Sequence, residues 1–335
     1  MTTDFNRYID SARRAVRWIV EQQRPDGSFF EVDAGIGGYY KVPYALGMSG
    51  FIPEAMRLLG WVRTHHLTRA GDFRAPSRKA TLAVHDDWPT YGNAWLIQGA
   101  HRLGRFDLSI PGAKFLLRHQ AACGGFCALE NGKQYVECVG TSWAGLAQLT
   151  VGNREAASAA ARCLGRLVDQ QNNSSRFYFR MTPDGELITD VPDGQALAYF
   201  VDSARTGQIY FHPGIAMIFL CRYHMATGEA SALRTAEIIF DFTGRCQDDV
   251  YCFPPSGKLG LGCALLAMVT GDRQARDAAA SVASYLVRTQ TDAGFWRLPD
   301  EEVYQSIAWK DDPEILMDIT AEFATFLQEI AAAMS

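Results

Sequence analysis

No stretch of this 335-residue chain approaches the roughly 18 consecutive apolar residues that cross a bilayer, so no membrane span is expected. The start, Met1-Thr-Thr-Asp-Phe-Asn-Arg7, has no charged segment followed by an apolar one, and no secretory leader is expected. Basic residues are outnumbered, with 32 Lys and Arg against 37 Asp and Glu and a net charge of −5. No basic stripe appears, which argues against nucleic acid as a partner. The eight cysteines are scattered, several of them in helical patterns at Cys163, Cys221 and Cys263. Without a leader they read as reduced thiols of a cytoplasmic protein. No Pro-, Gly- or Ser-rich linker and no low-complexity tract interrupts the chain, so residues 1–335 are expected to form a single domain.

What is present is a repeat. Gln290-Thr-Asp-Ala-Gly294-Phe-Trp296 ends a helical pattern, and the same phrase occurs at Gln23-x-x-x-Gly27-x-Phe29 and Gln120-x-x-x-Gly124-x-Phe126. Weaker copies start at Leu67, Gln171 and Gln247, so the six starts lie 44, 53, 51, 76 and 43 residues apart. A period of this size marks a repeat architecture. In each copy the Gln closes an amphipathic helix whose last carbonyls lack partners. The Gly takes a positive φ, and the aromatic folds back as an apolar plug against the next unit.

Around these phrases the apolar spacing predicts about twelve helices in pairs. The first covers Phe5 to Gln23, with apolar residues at 5, 8, 9, 12, 15, 16, 19 and 20. Asp87 reads as an N-cap ahead of Pro89, opening a helix from Trp88 to Leu103. The alternation Arg176-Phe-Tyr-Phe-Arg-Met181 and the turn signal Pro183-Asp-Gly185 predict a small β-hairpin near 176–190, which accounts for the long spacing of 76. Six capped helical hairpins give an all-α (α/α)6 toroid. Apolar helices rich in small residues, such as Leu259 to Ala267, are expected on its inside, and amphipathic ones, such as Arg273 to Arg288, on its outside.

The Gln-x-x-x-Gly-x-Trp/Phe phrase resembles the repeat of the squalene–hopene cyclase and protein prenyltransferase superfamily of toroids. The resemblance runs from Gln23 to Trp296 and implies the fold more than the chemistry. Class II cyclases carry Asp-x-Asp-Asp. The nearest match is Val84-His85-Asp86-Asp87, with His where the acid belongs. No Asp-Asp-x-x-Asp, no Asp-x-Cys zinc motif and no Cys–His pair of the lanthionine-cyclase type occurs, so neither metal nor cofactor is expected. A looser likeness is to linalool dehydratase-isomerase, through Cys127 and Cys138 flanking a polar loop with Glu130 and Glu137.

Candidate site residues follow from helix starts, which line the mouth of a toroid's cavity. His85, Asp86 and Asp87 come first as acid–base groups, the alternative being a cap with a solvated His. Tyr40, Lys41 and Tyr44 could orient an oxygenated or anionic substrate, or simply pack an aromatic loop. Tyr210 and His212 sit at another helix start, where the positive helix end favours a neutral imidazole. Ile315, Asp318, Glu322 and Phe326 fall on one line of the last helix, which puts two carboxylates on an apolar stripe. Trp88, Tyr91, Trp143, Tyr178, Cys127 and Cys138 complete the substrate-wall candidates, each with ordinary core packing as its alternative. The leading expectation is a cofactor-free lyase, isomerase or cyclase acting on a small apolar or partly oxygenated molecule, terpenoid or polyketide in kind. A carbohydrate-active toroid enzyme (glycan lyase, epimerase or hydrolase) is the second reading, and a binding scaffold the third.

Overall fold

A computed structural model describes residues 5–82, 84–130, 133–298 and 311–335. Thirteen α-helices dominate them. In chain order these are α1 (Phe5–Gln22), α2 (Val42–Met48), α3 (Ile52–His65), α4 (Val84–Asp87), α5 (Pro89–Arg102), α6 (Phe106–Leu116) and α7 (Cys138–Thr150). They continue as α8 (Arg154–Asp169), α9 (Phe211–Thr227), α10 (Ala230–Thr243), α11 (Gly257–Thr270), α12 (Arg273–Thr289) and α13 (Pro313–Met334). Buried and amphipathic helices alternate. Every residue of α5 from Pro89 to Ala100, of α7 from Cys138 to Gln148 and of α11 from Gly257 to Ala267 is buried. In α1, α8 and α12 only one face is apolar.

The repeat phrase explains how successive hairpins join. The amide of Gln23 donates to the carbonyls of Gly27 and Glu54, that of Gln120 to Gly124 and Ala156, and that of Gln290 to Gly294 and Ser11. Each glutamine thus ties its own loop to the amphipathic helix of another hairpin. The glycine is needed twice over. Gly124 has φ 92°, and a Cβ there would sit 2.5 Å from the Ala159 carbonyl oxygen of α8. The aromatics that follow are buried, and the backbone N–H groups of Phe126 and Trp296 donate to Thr141 on α7 and Thr320 on α13.

The chain forms two compact units. The first comprises Met1–Arg118 and Leu286–Ala331, the second His119–Tyr285 and Ala332–Ser335. In the first, α2 packs on α3 and α5. A buried triad of Asp72, Lys79 and Asn93 pins the segment before α4 to α5. Asp87 does not cap α5. It ends the short helix α4, and Trp88 occupies the cap position with no side-chain hydrogen bond, because Pro89 sets the start of α5.

In the second unit α9 packs between α7 and α11 at small residues: a Cβ on Gly214 would lie 2.3 Å from the Leu259 nitrogen. Two small sheets lie in this unit. Strands β1 (Cys127–Glu130), β2 (Lys133–Glu137) and β4 (Arg180–Met181) form one antiparallel sheet in the order β1-β2-β4. Strands β3 (Arg176–Tyr178) and β5 (Phe200–Asp202) form the other. The hairpin expected near 176–190 closes at Pro183–Gly185, where Gly185 has φ 93° and Met181 bridges Leu187. Its first arm is shared between both sheets, and the partners β2 and β5 come from segments the alternation did not single out. Among the described residues no helix is long and apolar enough to cross a membrane.

The two kinds of positive-φ glycine separate in a stability measurement. Gly152 also has φ 83° but open space around its Cβ position, so Gly152→Ala is expected to cost only about 1 kcal/mol of backbone strain. Gly124→Ala adds a clash with the α8 backbone, and urea unfolding is expected to show a loss larger by about 2 kcal/mol.

Candidate active site

Seven of the residues singled out from sequence meet in the first unit. Lys41 occupies the N-cap of α2, and its ammonium bonds Asp318 Oδ2 at 2.9 Å and also contacts Glu322. The two carboxylates stand one helical turn apart on α13, so one ammonium reaches both. The rings of Tyr40, Tyr91 and Trp95 surround the same nitrogen at 5.1, 5.6 and 5.9 Å. Tyr91 donates to Glu322 at 3.3 Å, and the Tyr40 hydroxyl interacts with the Asp318 carboxyl. His85 packs edge-on against Tyr40 with ring centroids 5.5 Å apart. Tyr44 stands behind, donating to Glu329 at 2.8 Å and accepting from Arg102 at 3.1 Å.

Burial and charge divide the labour here. Burial favours the neutral amine, but Asp318 and Glu322 outweigh it and hold Lys41 well above the usual lysine range. Burial raises the Asp318 carboxyl against the opposing pull of Lys41. The same burial, with Asp318 beside Tyr40 and Glu322 beside Tyr91, keeps both phenols protonated. His85 is lowered to about 4, first by burial and then by Lys41 and Lys79, so it is a neutral imidazole at physiological pH. The tripeptide His85-Asp86-Asp87 is therefore divided: His85 is buried, whereas Asp86 and Asp87 are exposed and Trp88 is half-buried. Beside His85 the carboxylates are instead Glu322, which is buried, and Asp318, which is half-buried.

The other predicted residues lie in the second unit. His212, in the first turn of α9, stacks on Phe179 at 3.5 Å with 6° between the rings. Its Nδ1 is 3.5 Å from Oε2 of Glu137. Glu137 ends β2 and caps α7, accepting from the N–H groups of Val139 and Gly140. Burial pushes Glu137 up to about 7 against those hydrogen bonds. Burial, then Arg180 and Lys258, hold His212 well below its ordinary value. Cys127, Cys138 and Trp143 are buried in β1 and α7. Tyr178 packs with Tyr199 and Phe200 in a small apolar cluster, and Tyr210 donates to Asp249 at 2.7 Å. Sequence reasoning noted Glu137 but gave it no role. Its only signal was a carboxylate directly before a helix start, where Asp, Ser, Thr or Asn is the usual acceptor. Among the described residues no cluster of three or more His, Cys, Asp or Glu could hold a metal ion.

The Glu137–His212 pair yields opposite pH dependences. Glu137 has a raised folded pKa, so its share of stability is whole below about 4.5 and is lost as pH rises toward about 7. His212 has a depressed one, so its share is present above about 6.5 and is lost as pH falls below it. Urea unfolding at pH 5, 6 and 7 is expected to show the wild-type advantage over Glu137→Gln shrinking with pH, by up to about 3 kcal/mol. The advantage over His212→Gln is expected to grow across the same steps.

No family model and no curated protein sequence matches this chain. Solved structures do. A D-mannose isomerase is 12% identical and superposes with a TM-score of 0.70 over 98% of this chain and 97% of its own. A GH76 α-mannanase from Bacteroides thetaiotaomicron is 11% identical, with a TM-score of 0.65 over 96% of this chain and 95% of its own. An unsaturated glucuronyl hydrolase from a Bacillus species is 15% identical, with a TM-score of 0.61 over 96% of each chain. At these identities the likeness speaks to the fold, which is the (α/α)6 toroid that the repeat phrase predicts, carrying small antiparallel sheets.

Proposed function

We propose that this chain is an enzyme that acts on a carbohydrate by acid–base chemistry, with the Lys41–Asp318–Glu322 cluster as its centre. The observation that carries the reading is the pair of carboxylates on α13 held on one ammonium beneath the rings of Tyr40, Tyr91 and Trp95. Aromatic faces suit the apolar face of a sugar ring, and phenols, an ammonium and carboxylates suit its hydroxyls. The solved toroids named above act, by their descriptions, on mannose, mannans and glucuronyl groups. They support a carbohydrate over the terpenoid or polyketide that the cyclase resemblance suggested.

Isomerisation of an aldose to a ketose fits the cluster best. A base must take the proton from the carbon next to the carbonyl while a positive or hydrogen-bonding group steadies the oxygen as it becomes negative. Asp318, whose carboxyl burial makes more basic, is the group we assign to carry that proton. Lys41 and the neutral phenols of Tyr40 and Tyr91 would hold the oxygen. His85, neutral beside Tyr40, would accept or donate a hydrogen bond rather than bring charge. Glu322 keeps Lys41 placed and charged.

One observation favours glycoside hydrolysis as the second reading. Asp86 and Asp87 are neighbouring exposed carboxylates at the end of α4, just ahead of the buried helix α5. A related GH76 mannanase is described as inactive when two neighbouring aspartates are replaced. The test follows D-mannose and D-fructose by NMR in D₂O for exchange at C2 of the aldose and C1 of the ketose, and an α-1,6-mannan for new reducing ends. Asp318→Asn is expected to lower isomerisation about 10²- to 10⁴-fold, the usual size of a general acid–base contribution. Full turnover by that variant rejects the assignment. Release of reducing ends that disappears in Asp86→Asn or Asp87→Asn selects hydrolysis instead.

Lys41 also has a structural share. Lys41→Met leaves two carboxylates buried without their counter-charge, and chemical denaturation is expected to show a loss of about 3–5 kcal/mol. Lys41→Met combined with Asp318→Asn and Glu322→Gln is expected to recover part of that loss.

A further inference from the structure

Two thiols of the second unit meet at the joint where a repeat phrase presses onto α8. Cys123 directly precedes Gly124 in the phrase Gln120–Phe126, and Cys163 lies on α8. Both are free, and their sulfurs are in contact at 3.7 Å, so a bond between them needs little movement of either segment. The segments are tied together on every side of the pair. Gln120 donates to the Ala156 carbonyl, a Cβ on Gly124 would meet Ala159, and Cys163 follows one turn later on the same face of α8. The Cys123 N–H donates to the Pro183 carbonyl at 3.2 Å. A Cβ on Gly185 would lie 2.9 Å from the Cys123 Cβ and 2.6 Å from Arg166 Nη1, so the turn and the guanidinium flank the Cys123 side chain.

The two sulfurs differ in what surrounds them. Cys123 is 9% exposed and Cys163 only 1%, so Cys123 is the one a small reagent reaches first. The hydrogen bond from the Cys163 thiol lowers Cys123, and the Gly125 N–H and Arg166 act the same way against burial. The same hydrogen bond, and then burial, raises Cys163. A thiolate beside a retained thiol is the arrangement in which one sulfur attacks an oxidant and the other resolves the product.

We propose that Cys123 and Cys163 form a peroxide-reactive thiol pair whose disulfide locks the repeat loop onto α8. The Cys123 sulfur attacks one oxygen of the peroxide and the O–O bond breaks. The departing hydroxide takes up the proton that Cys123 gave up, leaving Cys123 as a sulfenic acid. The Cys163 sulfur then attacks the Cys123 sulfur and the S–O bond breaks. The hydroxyl leaves as water with the Cys163 proton. The pair is oxidised by two electrons and loses two hydrogens, and the peroxide is reduced to two waters. The inference does not rest on the acid–base reading of Asp318.

Stoichiometric hydrogen peroxide followed by peptide mass mapping of the full chain tests it. A Cys123–Cys163 cross-link, lighter by two hydrogens, is expected ahead of any change at Cys252, which is exposed. The melting temperature is expected to rise by about 2–6 °C, because joining residues 40 positions apart restricts the unfolded chain. Dithiothreitol should reverse both changes. In Cys163→Ser the sulfenic acid meets no thiol, so Cys123 is expected to be trapped by dimedone and the rise in melting temperature to vanish. The map of the wild-type chain decides the pairing even where a variant folds poorly. The proposal is overturned if Cys252 is oxidised while Cys123 and Cys163 stay reduced, or if Cys123 pairs with Cys127 instead. It is also overturned if the cross-link forms and the melting temperature does not rise.

Discussion

Close approach of backbone to backbone sets the geometry on which the remaining contacts depend. At Gly27, Gly124 and Gly294 the loop presses onto another helix where a Cβ would lie under 3 Å from a carbonyl oxygen. The glutamine amide preceding each glycine donates across the same joint, and the aromatic following it fills the space beneath. Three small devices thus fix the spacing of hairpins that pack largely through apolar side chains. Hydrophobic packing tolerates sliding, whereas a hydrogen bond to a specified carbonyl does not. The precision of any site built on these helices rests on such joints.

Against that apolar background the charged groups stand out by their arrangement. Lys41 is almost completely buried and would be a severe liability alone, yet it faces two carboxylates and three aromatic rings. Glu137 and His212 meet burial differently, Glu137 through backbone N–H groups and His212 as a neutral ring stacked on Phe179. Arg180 is also stacked on the rings of Tyr135 and Tyr199. Each solution leaves a group whose protonation or charge is held by its surroundings, and that is what acid–base chemistry requires.

Legibility followed the length of the pattern. Helices such as Phe5–Gln22 and Arg273–Thr289 fell within a residue of their apolar spacing, because one face is buried over many turns. The β1–β2 pair was missed because its strands are four and five residues long and the partner β4 lies more than forty residues on. The hairpin near 176–190 was visible through its alternation and its turn chemistry, and its sharing between two sheets was not. Asp87 read as a cap because Asp before Pro usually is one, but the preceding residues formed their own helical turn.

The line Ile315, Asp318, Glu322 and Phe326 was already present in the spacing of one helix, and so was the oddity of two carboxylates on an apolar stripe. Their partner was not, since Lys41 is 277 residues from Asp318 and no local rule connects them. The periodic repeat carried the toroid, because burying one helical face is a requirement each segment meets by itself. Which charges meet, which phenols cover them and which exposed aspartates stay outside were settled only when distant segments packed. Coulombic and desolvation energies depend on three-dimensional distance, and sequence separation does not encode it.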